Sequence, residues 1–327
     1  MQLFNNLQII TDGASTRLSA SLVPGYNLYR IGKDQSGKPC LIISVSDIDH
    51  NYSYHPISLE HVIINHGYQC RIIDSNGISE EGKFSIIQCI STDPLLQAYF
   101  LRVCSVIILL IGENPNTSVV SNAVDKIATL FSALSSPPKN SLQGLWAELF
   151  IISQSFSPSI LAEAWHITPE DHFDFALGNQ RIEIKSTNGS IRRHSFSLEQ
   201  LIAPVKGQII IASLFVQTSG AGISIIDLLD IISKSLSSLP GLQFKIEQSV
   251  AATLGDSWRL ASDERFDIEL AKQSLRFYDA KNVPSIPPDI PPGVSNIRFV
   301  SDLTNVTQID LNVFSGKGSL FRSVKKR

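Results

Sequence analysis

Asp174, Glu183 and Lys185 are spaced so that a hairpin would bring them together. They lie in Asp171-His-Phe-Asp174-Phe-Ala-Leu-Gly-Asn-Gln-Arg-Ile-Glu183-Ile-Lys185-Ser-Thr187. Phe173, Phe175 and Leu177 alternate with Asp174 and Ala176, while Ile182 and Ile184 alternate with Arg181, Glu183 and Lys185. That alternation predicts two strands, 173–177 and 181–187, with Gly178-Asn179 as a two-residue turn. Counting outward from the turn pairs Leu177 with Gln180 and Asp174 with Glu183, and paired residues share a face of the sheet. Two bare carboxylates held side by side repel each other. A divalent cation relieves the repulsion, and such oxygen ligands suit Mg²⁺, with Mn²⁺ able to substitute. The Lys185 ammonium, two residues along the same face, can orient a water or steady charge developing on a phosphate. Metal, water and ammonium together are the parts of a phosphodiester-hydrolysing site.

A third acid is at hand. Glu148 sits in Gly144-Leu-Trp-Ala-Glu148-Leu-Phe-Ile-Ile152, among Leu145, Leu149 and Ile152. A glutamate in so apolar a helix is costly unless it is paired or bound to metal, so Glu148 is a candidate extra ligand. Downstream, Ile191-Arg192-Arg193-His194 reads as a basic loop leading into a helix over 197–202. Arg181, Lys185, Arg192, Arg193 and Lys206 outnumber Glu183 and Glu199 by five to two in this stretch. Arg192, Arg193 and His194 are therefore candidate nucleic-acid contacts, with an ordinary solvated loop as the competing reading. Gln200, at the start of the helix, is a further candidate nucleic-acid contact and can hydrogen-bond near the acids.

The elements needed to hold these residues are legible along the chain of 327 residues. Hydrophobic residues make up 43% and charged residues 17%, which suits an ordered protein of two domains. The formal charge of −3 excludes a globally basic nucleic-acid binder, so any phosphate-attracting surface must be local. Cys40, Cys70, Cys89 and Cys104 form no Cys-x-x-Cys pair and read as buried, reduced thiols. The start has no charged leader region, and the longest apolar run, 103–111, is about half the length a bilayer requires. A soluble, cytoplasmic protein without membrane partners is the expectation. Residues 1–136 read as a β-rich accessory or recognition domain ending in helices. β-Branched runs follow Cys40, His61 and Phe84, and Asp74-Ser-Asn-Gly77 marks a turn. Asp93-Pro94 opens one helix, and a second spans 117–134 with Val119, Ala123, Ile127 and Phe131 on one side. The Ser-Pro-Pro break near 136 is the domain boundary. Residues 137–327 then alternate helices and strands: a helix capped by Ser141, the hairpin, a strand over 208–217, a helix over 224–238 and a further α+β extension. Gly220-Ala-Gly222 reads as a turn, and Lys325-Lys-Arg327 as a solvated tail. The fold class is α/β (α+β), a mixed sheet flanked by helices.

At these residues the chain resembles the PD-(D/E)XK nuclease superfamily, and within it a little-characterised bacterial family. The match is Gly144-Leu-Trp-Ala-Glu148-Leu, His172-Phe-Asp174-Phe, Glu183-Ile-Lys185-Ser-Thr and Ser197-Leu-Glu-Gln200-Leu, with Arg276-Phe-Tyr278 and the proline-rich 283–293 also similar. Phe173 stands where the motif's nominal proline would be, but that proline supplies no ligand. The resemblance implies a restriction-endonuclease-like core and adds the Ile184 carbonyl as a metal ligand. It also implies a metal-dependent deoxyribonuclease acting on DNA in phage defence, with defence-system proteins as partners. Cutting both strands would favour a homodimer. The alternative is a catalytically inactive nuclease-fold module that binds nucleic acid or a partner in a defence complex.

Overall fold

Strand and helix periodicities change over near residue 90, and the computed structural model shows the same change. It describes residues 18–45, 55–73, 79–166, 172–201, 207–286, 290–314 and 318–324. The expected turn at 74–77, the end of the helix expected to reach Ile202, Lys206 and the tail at 325–327 lie outside the described residues. The chain divides into two compact units, residues 1–136 and 137–327.

In the first unit, β1 (Leu18–Leu22), β2 (Tyr29–Asp34), β3 (Pro39–Ser44), β4 (Ile57–Ser58), β5 (Val62–Ile73) and β6 (Ser79–Cys89) form one antiparallel sheet in the order β1-β2-β3-β6-β5-β4. Ala20, Cys40, Ile42, Ile72, Phe84 and Ile86 form one core cluster on it. Helix α1 (Pro94–Ile111) packs on β3, and α2 (Thr117–Ala133) packs on β5 and β6. Asp93 caps α1 by accepting the Leu95 N–H at 2.9 Å, and Pro94 opens it. By length and composition α1 could cross a bilayer, being twice the apolar run that the sequence suggested. Leu96, Phe100, Val103, Cys104, Ile107 and Ile108 are buried within the unit. In α2 the buried stripe is Val120, Ala123, Val124, Ile127, Leu130 and Phe131, while Val119 is exposed. Steps of four residues drift by about 40° around a helix, so a row extended over three steps leaves the buried face. Cys40, Cys89 and Cys104 are free and buried, and burial pushes the Cys40 thiol up to about 12.

The second unit centres on a mixed sheet. Helix α3 (Leu142–Gln154) and helix α4 (Pro158–Ala164) precede the hairpin β7 (Phe175–Leu177) and β8 (Gln180–Thr187). Strand β9 (Arg193–Ser197) leads to a single 3₁₀ turn, Leu198–Gln200, in place of the expected helix. Then follow β10 (Gln208–Phe215), β11 (Thr218–Ile223), α5 (Ile225–Ser235), α6 (Pro240–Leu254), α7 (Leu260–Asp263), α8 (Ile268–Ser274), β12 (Arg276–Asp279), β13 (Arg298–Asp302), α9 (Leu311–Phe314) and α10 (Ser319–Ser323). The sheet order is β12-β10-β8-β7, with β8 and β10 parallel and both outer strands antiparallel. Helix α3 packs across β8, begins on a Ser141 cap at 3.1 Å from the Gly144 N–H, and lies against α5. The hairpin register is Leu177↔Gln180 and Phe175↔Ile182. The basic stretch expected as a loop is strand β9, paired antiparallel with β13 as a separate two-stranded ribbon.

The glycines expected to turn at 220–222 lie within β11. Gly222 is needed there for close approach: a Cβ would meet Phe266 O at 2.3 Å and Phe266 N at 2.8 Å. The adjacent Ile223 carbonyl accepts the Trp146 Nε1–H at 2.9 Å, tying this strand to α3. Gly222→Ala must push backbone from backbone and should cost about 2 kcal/mol or more. Chemical denaturation measures this directly, and an unchanged midpoint would rule out the close approach.

Candidate active site

The hairpin register decides where the acids fall. One residue beyond the last strand pair, Asp174 turns its carboxylate onto the β8 backbone, and Oδ2 accepts the Ile184 N–H at 2.6 Å. Its own carbonyl accepts the His166 N–H at 3.0 Å, and Trp165 forms a bridge with Phe175. The segment after α4 is thereby stitched to the mouth of the hairpin. Lys245 from α6 holds the same segment, donating to the Ala162, Glu163 and Trp165 carbonyls at 2.6–3.0 Å.

Glu148 reaches the site from the middle of α3 and is 5% exposed. Its Oε2 accepts the Trp165 Nε1–H at 2.7 Å and lies 2.9 Å from His166 Nε2. Glu183, 3% exposed, is engaged through Oε1 with Lys185 Nζ at 2.7 Å and Gln200 Nε2 at 2.6 Å. Gln200 Oε1 in turn accepts from Lys185 Nζ and from the Ser197 N–H, both at 3.1 Å. Lys185 also stands 5.1 Å over the Phe196 ring. Asp174, Glu183, Lys185, Glu148 and Gln200 all line one open pocket of about 620 Å³. The sequence-expected acids, lysine and glutamine are therefore brought together. The pocket wall also includes Lys139, His172, Ser195, Ser197 and Arg298.

Three buried or half-buried acids crowd together here, and Lys185 is the cation bonded to one of them. Burial, then the Glu183 and Glu148 charges, raise the Asp174 carboxyl well above its usual range, against the opposing Ile184 N–H and Lys185. Burial also raises Glu183, opposed mainly by Lys185. Glu183 Oε2 is buried with no hydrogen-bond partner. A buried, partnerless carboxylate oxygen beside two further acids fits a divalent cation, which would satisfy the oxygen and offset the crowded charge. Asp174, Glu183 and Glu148 are the residues that could hold it.

Two expected nucleic-acid contacts are corrected. Arg192 is buried, not on a solvated loop: Nη1 donates to Ser213 O and Oγ at 2.8 Å, Nη2 donates to Ser274 O, and the guanidinium lies 4.6 Å over the Phe215 ring. His194 is buried against Ser213 Oγ at 2.8 Å. Burial, then the Lys185 and Arg192 charges, lower it to about 4, so near neutral pH it carries no charge for a phosphate. Alternation along β9 explains both, since His194 and Phe196 face inward while Arg193 and Ser195 face solvent. Arg193 remains exposed, 3.6 Å from Asp302. Reasoning from sequence missed His166, Trp165 and Arg298. His166 lies eighteen residues from Glu148 with no ligand spacing to flag it, and Arg298 arrives only through the β9–β13 pairing.

Comparison with known families matches residues 3–304 to the family described as "Putative PD-(D/E)XK family member, (DUF4420)". No curated protein and no solved structure matches.

The raised Asp174 carboxyl has a pH signature. A carboxyl raised on folding stabilises the fold while protonated, and that contribution is lost as pH rises from its usual value near 3.8 through its raised one. Without divalent ions, wild type should therefore lose melting temperature over that window relative to Asp174→Asn. The gap should close at about pH 4. Parallel pH profiles for the two proteins would show that the acids are not crowded.

Proposed function

The chain belongs to that PD-(D/E)XK family, and from this premise we propose that it is a metal-dependent endonuclease hydrolysing DNA phosphodiester bonds. The observation that carries the reading is the partnerless Glu183 Oε2, buried beside Asp174 and Glu148 and next to a lysine.

Asp174 and Glu183 hold the cation, and Glu148 adds a third carboxylate. The Ile184 carbonyl is a further ligand. A strand residue sends its N–H and C=O to the same edge, and the Ile184 N–H already faces Asp174. A bound Mg²⁺ or Mn²⁺ supplies Lewis acidity toward the phosphate and makes a bound water easier to deprotonate. Lys185 donates hydrogen bonds from Nζ to the attacking water or to a phosphate oxygen as its charge grows. Gln200 fixes this geometry by bonding both Lys185 and Glu183, so the ammonium cannot drift from the acids.

Substrate would approach along the outer face of the β9–β13 ribbon. Ser195, Ser197, Arg298 and Lys139 line the pocket, and Arg193 is exposed on the same strand as the two serines. These cations replace Arg192 and His194 as phosphate contacts, and a two-stranded ribbon is narrow enough to enter a DNA groove. The first unit, residues 1–136, would recognise substrate or a partner. Two copies would supply one site per strand. Restriction of foreign DNA in the cytoplasm, beside other defence proteins, is the role that the sequence resemblance supports.

The test is incubation of plasmid, linear and single-stranded DNA with Mg²⁺ or Mn²⁺. Lys185→Ala should lower the cleavage rate by about 10²-fold or more with the fold retained by circular dichroism. Glu183→Gln should behave likewise. Full cleavage by either folded variant would overturn the mechanism, and DNA binding without cleavage by wild type would favour a non-catalytic module.

A further inference from the structure

We propose that His166 is a nitrogen ligand of the bound cation, giving a site that prefers a first-row transition dication over Mg²⁺. The inference rests on the metal-dependent reading above and adds a residue to it. One ligand atom from each of Glu148, His166 and Asp174 lies within 4.8 Å of the other two. Metal–nitrogen and metal–oxygen bonds of about 2.0–2.2 Å place opposed ligands little more than 4 Å apart, so atoms within 4.8 Å of one another need to close by only a few tenths of an ångström around one ion. Glu183, whose Oε2 is buried without a hydrogen-bond partner, lines the same pocket as Glu148 and Asp174.

The chemistry of the ring supports the same assignment. His166 is 7% exposed, and its Nδ1 is buried without a hydrogen-bond partner. Its Nε2 lies 2.9 Å from Glu148 Oε2. A neutral imidazole has one N–H and one lone pair. If Nε2 carries the proton, it donates to Glu148 and the lone pair on Nδ1 meets no donor. If Nδ1 carries it, the lone pair on Nε2 faces a carboxylate oxygen. In neither tautomer does a protein donor take the lone pair, whereas a cation does.

The ring is also held where a ligand must be. The His166 N–H donates to the Asp174 carbonyl at 3.0 Å, and its own carbonyl accepts from Ser249 Oγ at 3.2 Å. Lys245 fixes the Trp165 carbonyl just before it, at 2.7 Å. An all-carboxylate site suits Mg²⁺, and exchanging one oxygen for an imidazole nitrogen moves the preference toward transition metals.

Mn²⁺ is the probe, because nitrogen bonded to it is visible by electron spin echo envelope modulation whether or not the protein cuts anything. Mn²⁺-loaded wild type should show ¹⁴N coupling, and protein grown with ¹⁵N-histidine should change it without any substitution. The coupling should survive in His172→Ala, which removes the histidine that lines the pocket, and vanish in His166→Gln. By calorimetry His166→Gln should bind Mn²⁺ about tenfold or more weakly, with a smaller loss for Mg²⁺. Bound Mn²⁺ without nitrogen coupling would overturn the ligand assignment while leaving an oxygen-ligated metal site standing. Coupling lost in His172→Ala instead would overturn it in favour of that residue. Wild type that binds no Mn²⁺ would overturn this inference and the metal-dependent reading together.

Discussion

Three carboxylates gather at the open end of one hairpin, and Lys185 is the ammonium bonded to one of them. Asp174 comes from the hairpin's mouth, Glu183 from β8 and Glu148 from α3. Each is supported separately: Asp174 by a backbone N–H, Glu148 by an indole and an imidazole, Glu183 by a lysine and a glutamine. Those contacts hold the groups in place, yet burial and mutual repulsion still push Asp174 and Glu183 toward their neutral forms. Evolving such a cluster only for stability would be unfavourable, because apolar replacements of equal volume would pack without the desolvation cost. The arrangement makes sense as a device that is incomplete without a cation.

The rest of the second unit can be understood as support for that cluster. Parallel pairing of β8 with β10 buries Ile182 and Ile184 on one side while Glu183 and Lys185 project to the other. Helix α3 lies across β8, fixed by Gln143 bonding Ser186 Oγ at 3.0 Å and by Trp146 bonding β11. Glu148 therefore rides on a helix tied twice in the turn that precedes it. Arg192 and His194, buried away from solvent, converge on Ser213, the β10 residue in register with Lys185. Their role is to anchor β9 to β10, which in turn holds Phe196 under the Lys185 ammonium and delivers Gln200.

How much of this was legible in the sequence depended on the range of each interaction. Hairpin register followed from a two-residue turn and alternation, both local, so counting gave the pairs from Leu177 with Gln180 to Phe175 with Ile182, whereas the expected Asp174–Glu183 pair lies one residue beyond the ladder. Glu148 announced itself because a glutamate among Leu145, Leu149 and Ile152 needs a reason. The β9 stretch was misread because its basic residues looked like a solvated loop, whereas its partner β13 lies far along the chain and leaves no local trace. Once β9 is known to be a strand with one buried face, inward Arg192 and His194 become intelligible. The Gly222 contact with Phe266 was invisible for a similar reason: glycine signals a turn or a close approach equally well, and only the neighbouring backbone decides.

Gln200 shows why a 3₁₀ turn serves here where a longer helix would not be needed. Its side chain bonds Lys185, Glu183 and the Ser197 backbone simultaneously, so both its amide groups are engaged and its orientation is fixed. A glutamine has one acceptor oxygen and two donor hydrogens, and this site uses the oxygen toward cations and N–H donors and the amide nitrogen toward the carboxylate. Replacing it with glutamate would set a fourth negative charge against Glu183, and replacing it with lysine would offer no acceptor to Lys185. Only a neutral group with both functions can hold an acid and an ammonium at once. The amide is thus the part of the site that keeps Glu183 Oε1 and Lys185 in a fixed relation while Glu183 Oε2 remains available toward the pocket.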